Sequence, residues 1–355
     1  MCGVIFYLII NAVLNENILI LSVFYLKNIL EGVKNLRRYV LKRILTSIIV
    51  LFGISIIIFA LVNLQPGNPY SHMISPNTSP DVMKAKLEQI GYYDPLYVKY
   101  FKWISRALRF DLGYSIKYSE PVSAVIGYRL KNTIILMSFS LFLSSVIGII
   151  LGIIAAYRKN TYIDDFITVI SFIGVSIPSF FFSLLLIKKF SYDMYIFPSS
   201  GMYDVRSSLT GIPKLMDLIK HLILPSIVLT FLQATAFIRY TRSAMIEIVD
   251  KEYIKCAMAK GMSFKKAVIK HGFKNSLISI ITVFCLQIPA LFSGALMTET
   301  VFVWPGIGRL GYEAVQNRDY PLIMGILIIT AILILLSNLL ADILYAVVDK
   351  RVELE

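Results

Sequence analysis

The sequence predicts an all-α integral membrane protein, a polytopic helical bundle of about six transmembrane helices, on three observations. Of its 355 residues, 57% are hydrophobic and the mean hydropathy is +0.72, too apolar for a water-soluble globule of ordinary usage. Six long apolar runs, 44–62, 133–156, 166–187, 222–238, 277–298 and 322–348, come close to or exceed the roughly 20 residues that a hydrocarbon core needs. All six are continuous, unlike the ten-residue alternating stretches of a membrane barrel, so helices must satisfy the backbone.

The elements follow in order. Residues 1–36 form an extension whose apolar stretch, 4–26, is interrupted by Asn11, Asn15, Glu16 and Asn17. It has neither the basic start nor the small-residue cleavage site of a secretory signal. An extra span, an interfacial helix and an upstream extension without a transport role all fit it, the last two better. Residues 37–64 hold the first span and its basic flank, with Arg37, Arg38, Lys42 and Arg43 following Lys34. The stretch 65–131 is polar, rich in Pro, Tyr and Gly, and too long to be a simple connection, which predicts an external loop or cap.

Residues 132–349 form a core of five helices, of which the run 222–238 is short and the last run carries Asp342. Within this core, Pro198, Gly201, Gly211 and Pro213 predict turns over 188–221. Residues 350–355 are a tail. No inverted repeat of the kind that marks many secondary carriers is visible.

A net charge of +13 raises a nucleic-acid partner, but in a membrane protein the placement of Lys and Arg matters more than their sum. Basic residues flank the first span, Arg158 and Lys159 follow the second, and nine crowd 239–274. The positive-inside rule puts all three groups, and both ends of the six-helix core, in the cytoplasm of a cell-membrane protein. The basic charge is then topology, and no nucleic-acid partner is expected. Cys2, Cys256 and Cys285 lack metal-ligand spacing and predict free thiols. His72, His221 and His271 are isolated. No Gly-x-x-x-x-Gly-Lys-Ser/Thr phosphate cradle occurs, so ATP hydrolysis, catalytic residues and a resident metal or cofactor are not expected in this chain.

The most informative loop is 250–276. Glu252 opens a short helix on which Tyr253, Ala257 and Lys260 share one side at i, i+4 and i+7. Gly261 can end it in the left-handed conformation and Ser263 can cap a second helix. Such a helix suits a groove on another protein, and the basic loop equally suits anionic headgroups. Elsewhere, Pro178, Pro225 and Pro289 each remove a backbone donor from an apolar run, permitting kinks beside a central path or bends in a static bundle. Trp304 and Tyr312, after the fifth run, suit the headgroup boundary. Asp342, one turn beyond Asn338, is an intramembrane carboxylate that points to structural pairing or to a proton relay.

The residues Tyr253, Ala257, Ala259, Lys260 and Gly261 resemble the cytoplasmic loop of binding-protein-dependent ABC importer permeases. The general motif begins Glu-Ala-Ala, where this chain has Lys255, Cys256 and Ala257; the peptide-permease version, near Tyr-x-x-x-Ala-x-Ala-Lys-Gly, is closer. Leu64-Gln65-Pro66-Gly67, Asp111-Leu112-Gly113-Tyr114-Ser115 and Ser176-Ile177-Pro178-Ser179-Phe180 are similar to that branch. So are Glu299-Thr300-Val301-Phe302, Trp304-Pro305-Gly306-Ile307-Gly308-Arg309 and Arg318-Asp319-Tyr320-Pro321, which together resemble the B-type permease of dipeptide and oligopeptide importers. The branch has Asp-Pro-Arg after its last span, where this chain has Asp349-Lys350-Arg351.

The resemblance implies a type I ABC importer permease fold. It implies peptide translocation driven by ATP and Mg bound to two cytoplasmic ATPase subunits, with a second permease subunit and an external solute-binding protein. It makes 252–261 the coupling helix and Glu299, Trp304, Arg309, Arg318 and Asp319 candidates for contact with the binding protein. Nickel or another small solute in place of peptide, a stand-alone proton-coupled carrier, and a membrane sensor or scaffold remain as alternatives.

Overall fold

A computed structural model of the protein describes residues 39–64, 91–204, 209–249, 251–293 and 295–348, with positions 82, 84, 85 and 88. The expectations for 1–36, for Gln65, Pro66 and Gly67, and for Asp349 and the tail lie outside the described residues. Among the described residues the structure is helical, apart from one isolated bridge between Tyr114 and Pro121.

Among the described residues, four helices are long and apolar enough to cross a membrane: α1 (Tyr39–Asn63), α3 (Val122–Tyr157), α6 (Gly211–Val249) and α13 (Tyr320–Val348). A bent pair, α4 (Tyr162–Ser176) and α5 (Ser179–Leu186), the latter continuing in π-type turns over Ile187–Asp193, reaches that length and hydropathy only when its two arms are taken together, across a bend of 103°. Pro178 makes the bend: Ile177 is extended, as a residue before proline prefers, and α5 begins immediately after the ring. The remaining run, 277–298, is divided into α9 (Lys274–Gln287), α10 (Ala290–Ser293) and α11 (Leu296–Val301), with Pro289 at the first break.

Two boundaries differ from the sequence reading, and so does the stretch 188–221 expected as turns. Helix occupies 188–193 and 211–221 there, and Pro213 sits in the first turn of α6, where its missing N–H costs nothing. Helix α3 starts at Val122, so residues 122–131 belong to the bundle and not to the external cap. Helix α6 is 39 residues long and reaches well past the run 222–238 at both ends. Pro225 lies inside it and forfeits one ladder hydrogen bond without interrupting the helix.

Helices α3 and α6 pack closely because small residues line their seam. A β-carbon at Gly148 would stand 2.9 Å from the Ala234 carbonyl oxygen, and one at Gly152 would stand 2.9 Å from that of Ile238. In an apolar solvent, where burial of hydrocarbon does not hold helices together, such backbone approach supplies the attraction. Gly174 admits α4 to the same helix, beside a hydrogen bond of 3.1 Å from the Thr235 hydroxyl to the Ser171 carbonyl. Helix α2 (Leu96–Ala107), within the expected cap, lies on α1: Tyr100 packs edge-on to Phe52 and Phe59 and pairs with the Ser55 hydroxyl at 2.8 Å.

Candidate functional site

The chain gathers its distinctive residues at the two ends of the bundle. At the basic end, α6 is followed at once by α7 (Glu252–Ala259). Helix α7 closes as the sequence predicts, with N–H groups of Lys260, Gly261 and Met262 donating to the carbonyls of Cys256, Met258 and Ala257 at 3.1, 2.9 and 3.2 Å. Gly261 has φ +87 and open space where a β-carbon would stand, so glycine serves the left-handed turn and not a close approach. Ser263 accepts the first backbone bond of α8 (Phe264–Ala267), from Ala267 at 2.9 Å, and π-type turns over Val268–Phe273 lead into α9.

The proposed docking side needs correction at one position. Ala257 is buried with Ile254 and Ala267, because the loop folds on its own apolar centre. The exposed side of α7 consists of Tyr253, Cys256 and Lys260, flanked by Glu252, which pairs with Lys255 at 2.9 Å, and by Ala259. The loop is seated on the bundle by Phe264 stacked on Tyr157 of α3, centroids 5.7 Å apart, and by Val268 against Ala156 and Met245.

Beside it, Asp164 in the first turn of α4 is buried and receives both Arg242 Nε at 2.6 Å and an Arg242 terminal nitrogen at 2.8 Å. The Asn160 N–H completes its shell at 3.1 Å. This bidentate clamp ties α4 to α6 less than three turns before the loop 250–276. A groove of about 520 Å³ opens between the same two helices, lined by Thr168, Ser171, Thr235, Arg239, Tyr240 and Ser243. Asp342 is paired with Arg43 of α1 at 3.2 Å, and Asn338 is exposed one turn before it.

At the opposite end the motifs of the resemblance converge. Glu299, Trp304 and Asp319, expected at a contact surface, are fully buried, because each organises the loop from within. Glu299 accepts from the Thr133 hydroxyl at 2.8 Å and from the Arg309 N–H at 3.0 Å, at the start of α12 (Ile307–Gln316). A helix N-terminus with free N–H groups is suited to a carboxylate. Gly306 and Gly308 leave the room: a β-carbon at Gly308 would be 2.8 Å from the Leu296 backbone and 3.1 Å from the carboxylate. Burial still prevails and pushes the Glu299 carboxyl above its ordinary value, against the hydrogen bonds that lower it.

Trp304 donates its indole N–H to the Asn132 carbonyl at 3.0 Å, and the Asn132 amide donates to the Pro305 carbonyl at 3.0 Å. It is therefore a strut and not a headgroup anchor. Asp319 caps α13 through the Leu322 N–H at 3.2 Å and accepts from Ser115 and from the Lys117 N–H, joining the Asp111–Ser115 motif to the last helix.

The residues left at the surface are cationic or aromatic. Arg309 is half-buried and pairs with Glu313 at 2.9 Å; Arg318 and Tyr312 are exposed; Ile116, Lys117, Gln316 and Arg318 line a shallow depression. Glu313 also accepts from the Tyr118 hydroxyl at 2.6 Å. Burial would raise its pKa, but Tyr118, Arg309, Lys117 and Arg129 together hold it below its usual value. Tyr118 is pushed up to about 12, first by burial and then by this carboxylate.

Sequence reasoning did not single out Thr133, Asn132 or the Asp164–Arg242 clamp. Asp164 had a signal, an acidic pair with Asp165 at the edge of an apolar run; Gly148 and Gly152 had one too, the Gly-x-x-x-Gly spacing. Among the described residues no group of three His, Cys, Asp or Glu could hold a metal ion.

Comparison with known proteins matches residues 148–354 to the family "Binding-protein-dependent transport system inner membrane component". Residues 36–137 match its N-terminal counterpart, "Binding-prot-dependent transport system membrane comp, N-term". The oligopeptide transport system permease protein AppB of Bacillus subtilis is 40% identical over 316 residues, covering 89% of this chain and 99% of the relative. A putative peptide permease protein of Brucella suis is 37% identical over 319 residues, covering 89% of this chain and 99% of the relative. The dipeptide transport system permease protein DppB of Alkalihalophilus pseudofirmus is 34% identical over 329 residues, with the same 89% and 99% coverage. Among solved structures, a chain of the inward-facing methionine ABC transporter MetNI superposes with a TM-score of 0.51 at 18% identity, over 65% of this chain and 99% of that one, a likeness of fold.

Proposed function

Because the chain belongs to the family of binding-protein-dependent transport system inner membrane components, we propose that it is the permease subunit of an ATP-driven peptide importer. The observation that carries this is the near full-length similarity to permease proteins named for oligopeptides and dipeptides. It is an all-α, multi-pass membrane protein with the fold of an ABC importer permease.

In this reading the chain pairs with a second permease subunit, two cytoplasmic ATPases and an external solute-binding protein, and ATP and Mg stay on the ATPases. The exposed side of α7, Tyr253, Cys256 and Lys260, meets an ATPase, and closure of the ATPases moves the loop 250–276. The movement passes into the bundle at three fixed points: Tyr157 under Phe264, Met245 under Val268, and Asp164 on Arg242. The groove between α4 and α6 carries hydroxyl groups from both helices and Arg239 of α6, a surface on which a peptide can exchange its water for protein dipoles. At the other end, Arg318, Lys117 and Tyr312 form the accessible rim for the binding protein, and Glu299, Trp304 and Asp319 hold that rim in shape. A bistable bundle biased from a remote docking site is the form of allostery required.

The test is uptake of labelled oligopeptides by cells that carry the chain with its partner subunits. Uptake should require ATP and persist when the proton gradient is collapsed; the reverse dependence would overturn the proposal. Replacing Tyr253 with Asp, or Gly261 with Trp, should leave insertion intact and separate ATP hydrolysis from uptake, lowering transport at least tenfold. Normal uptake and normal ATPase assembly in both variants would remove the coupling role.

A further inference from the structure

Helix α2 divides its circumference into three sectors, at about 100° per residue. Tyr100 and Trp103 face α1, where Trp103 is buried against Phe59. Next to them lies a second apolar sector, Tyr97, Phe101 and Leu108, exposed at 67%, 66% and 76%. The third sector is basic: Lys99, Lys102 and Arg106, followed by Arg109 in the turn just past the helix, with no acidic residue in the helix. Asp94, just before the helix, pairs with Lys102, and Lys99 lies over the Tyr92 ring, 5.0 Å from its centre. Lys99, Arg106 and Arg109 have no acidic partner among the described residues.

The depth of the helix identifies the occupant of the two outer sectors. Its contacts on α1, Phe52, Ser55 and Phe59, fall within the apolar run 44–62. At 1.5 Å per residue they lie about 5 to 15 Å inside the end of that run. A water-soluble protein cannot reach an aromatic surface at that level, whereas an interfacial helix sinks its apolar side about 5 to 10 Å into the headgroup and acyl boundary. We propose that α2 is an interfacial helix that binds anionic phospholipid, with Tyr97, Phe101 and Leu108 among acyl chains and Lys99, Arg106 and Arg109 on headgroup phosphates. The inference rests on the reading of the chain as a membrane permease and is independent of what it transports.

The experiment uses the full assembly in nanodiscs that contain photoactivatable phosphatidylglycerol or photoactivatable phosphatidylcholine, with adducts mapped by mass spectrometry. Adducts of the anionic lipid should concentrate on 97–109. Their yield should fall about fivefold for each cation removed in Lys99→Gln, Arg106→Gln and Arg109→Gln, the size expected for one basic residue near an anionic surface. Adducts of the zwitterionic lipid should not change, and glycerol phosphate added in solution should not compete, which separates lipid from free phosphate. Co-purification of the partner subunits shows that each variant is folded. Absence of adducts on 97–109, or equal loss for both lipids, overturns the proposal. So does retention of lipid with loss of binding-protein affinity, which would make the sector a protein interface. The readout needs no transport, so failure here leaves peptide uptake to be judged separately.

Discussion

At the scale of single residues, two buried carboxylates have opposite tasks. Glu299 sits at the N-terminus of α12 with its pKa raised, so its protonated form is favoured in the fold. The stability this contributes is complete below the ordinary carboxylate range and is lost as pH rises through the raised value. Glu299→Gln, which resembles the protonated form, should therefore gain in melting temperature relative to the parent as pH increases from 4 to 8; a constant difference in a thermal scan of the detergent-purified protein would refute it. Asp164 is tied by two hydrogen bonds to one guanidinium. Asp164→Ala leaves the partly exposed Arg242 without its bidentate partner beside the loop 250–276 and should cost about 1–2 kcal/mol. Peptide uptake should fall while ATPase activity of the assembled complex rises or stays, a combination that simple loss of folded protein does not produce.

At the scale of elements, what was legible in the sequence was hydropathy, and what was not was geometry. The runs 44–62, 133–156 and 322–348 became α1, α3 and α13 because nothing in them opposes a helix. Pro178 and Pro289 were seen as possible kinks, yet sequence alone cannot distinguish a proline that stops a helix from one, like Pro225, that a helix runs through. The difference lies in tertiary support: α6 is enclosed by α3, α4 and α9, and its neighbours hold the helix through the missing bond. The end of α7 was legible because Gly261 needs a left-handed turn, a local property, whereas the burial of Ala257 depends on Ile254 and Ala267 folding over it. The resemblance implies a contact surface for Glu299 and Asp319, and the amphipathic ring of Trp304 suggests the headgroup boundary; their actual partners, Thr133, Ser115 and Asn132, are too distant in sequence to be read. The Gly148 and Gly152 seam gives a direct test. Gly152→Leu should overfill the contact with Ile238 and Thr241, costing about 1–3 kcal/mol, and should lower the melting temperature, whereas the same change at Gly53, which has no neighbour within 4 Å, should not.

At the scale of the whole molecule, orientation is the property that joins the two ends to a function. Cys256 lies on the exposed side of α7, and Cys285 is buried. In a Cys2→Ser background expressed without ATPase subunits, a membrane-impermeant maleimide should label Cys256 in inverted vesicles and not in intact cells, and labelling from outside would reverse the topology. The motifs at the other end also set a schedule for biosynthesis. Thr133 is 166 residues from Glu299, and Ser115 is 204 from Asp319. At about 5–20 residues per second, the ribosome delivers these acidic partners roughly 10–40 s after the hydroxyls they bind. The N-terminal half must therefore wait in the bilayer with that face incomplete, and a nascent chain stopped before α13 should be the form that quality-control proteases recognise.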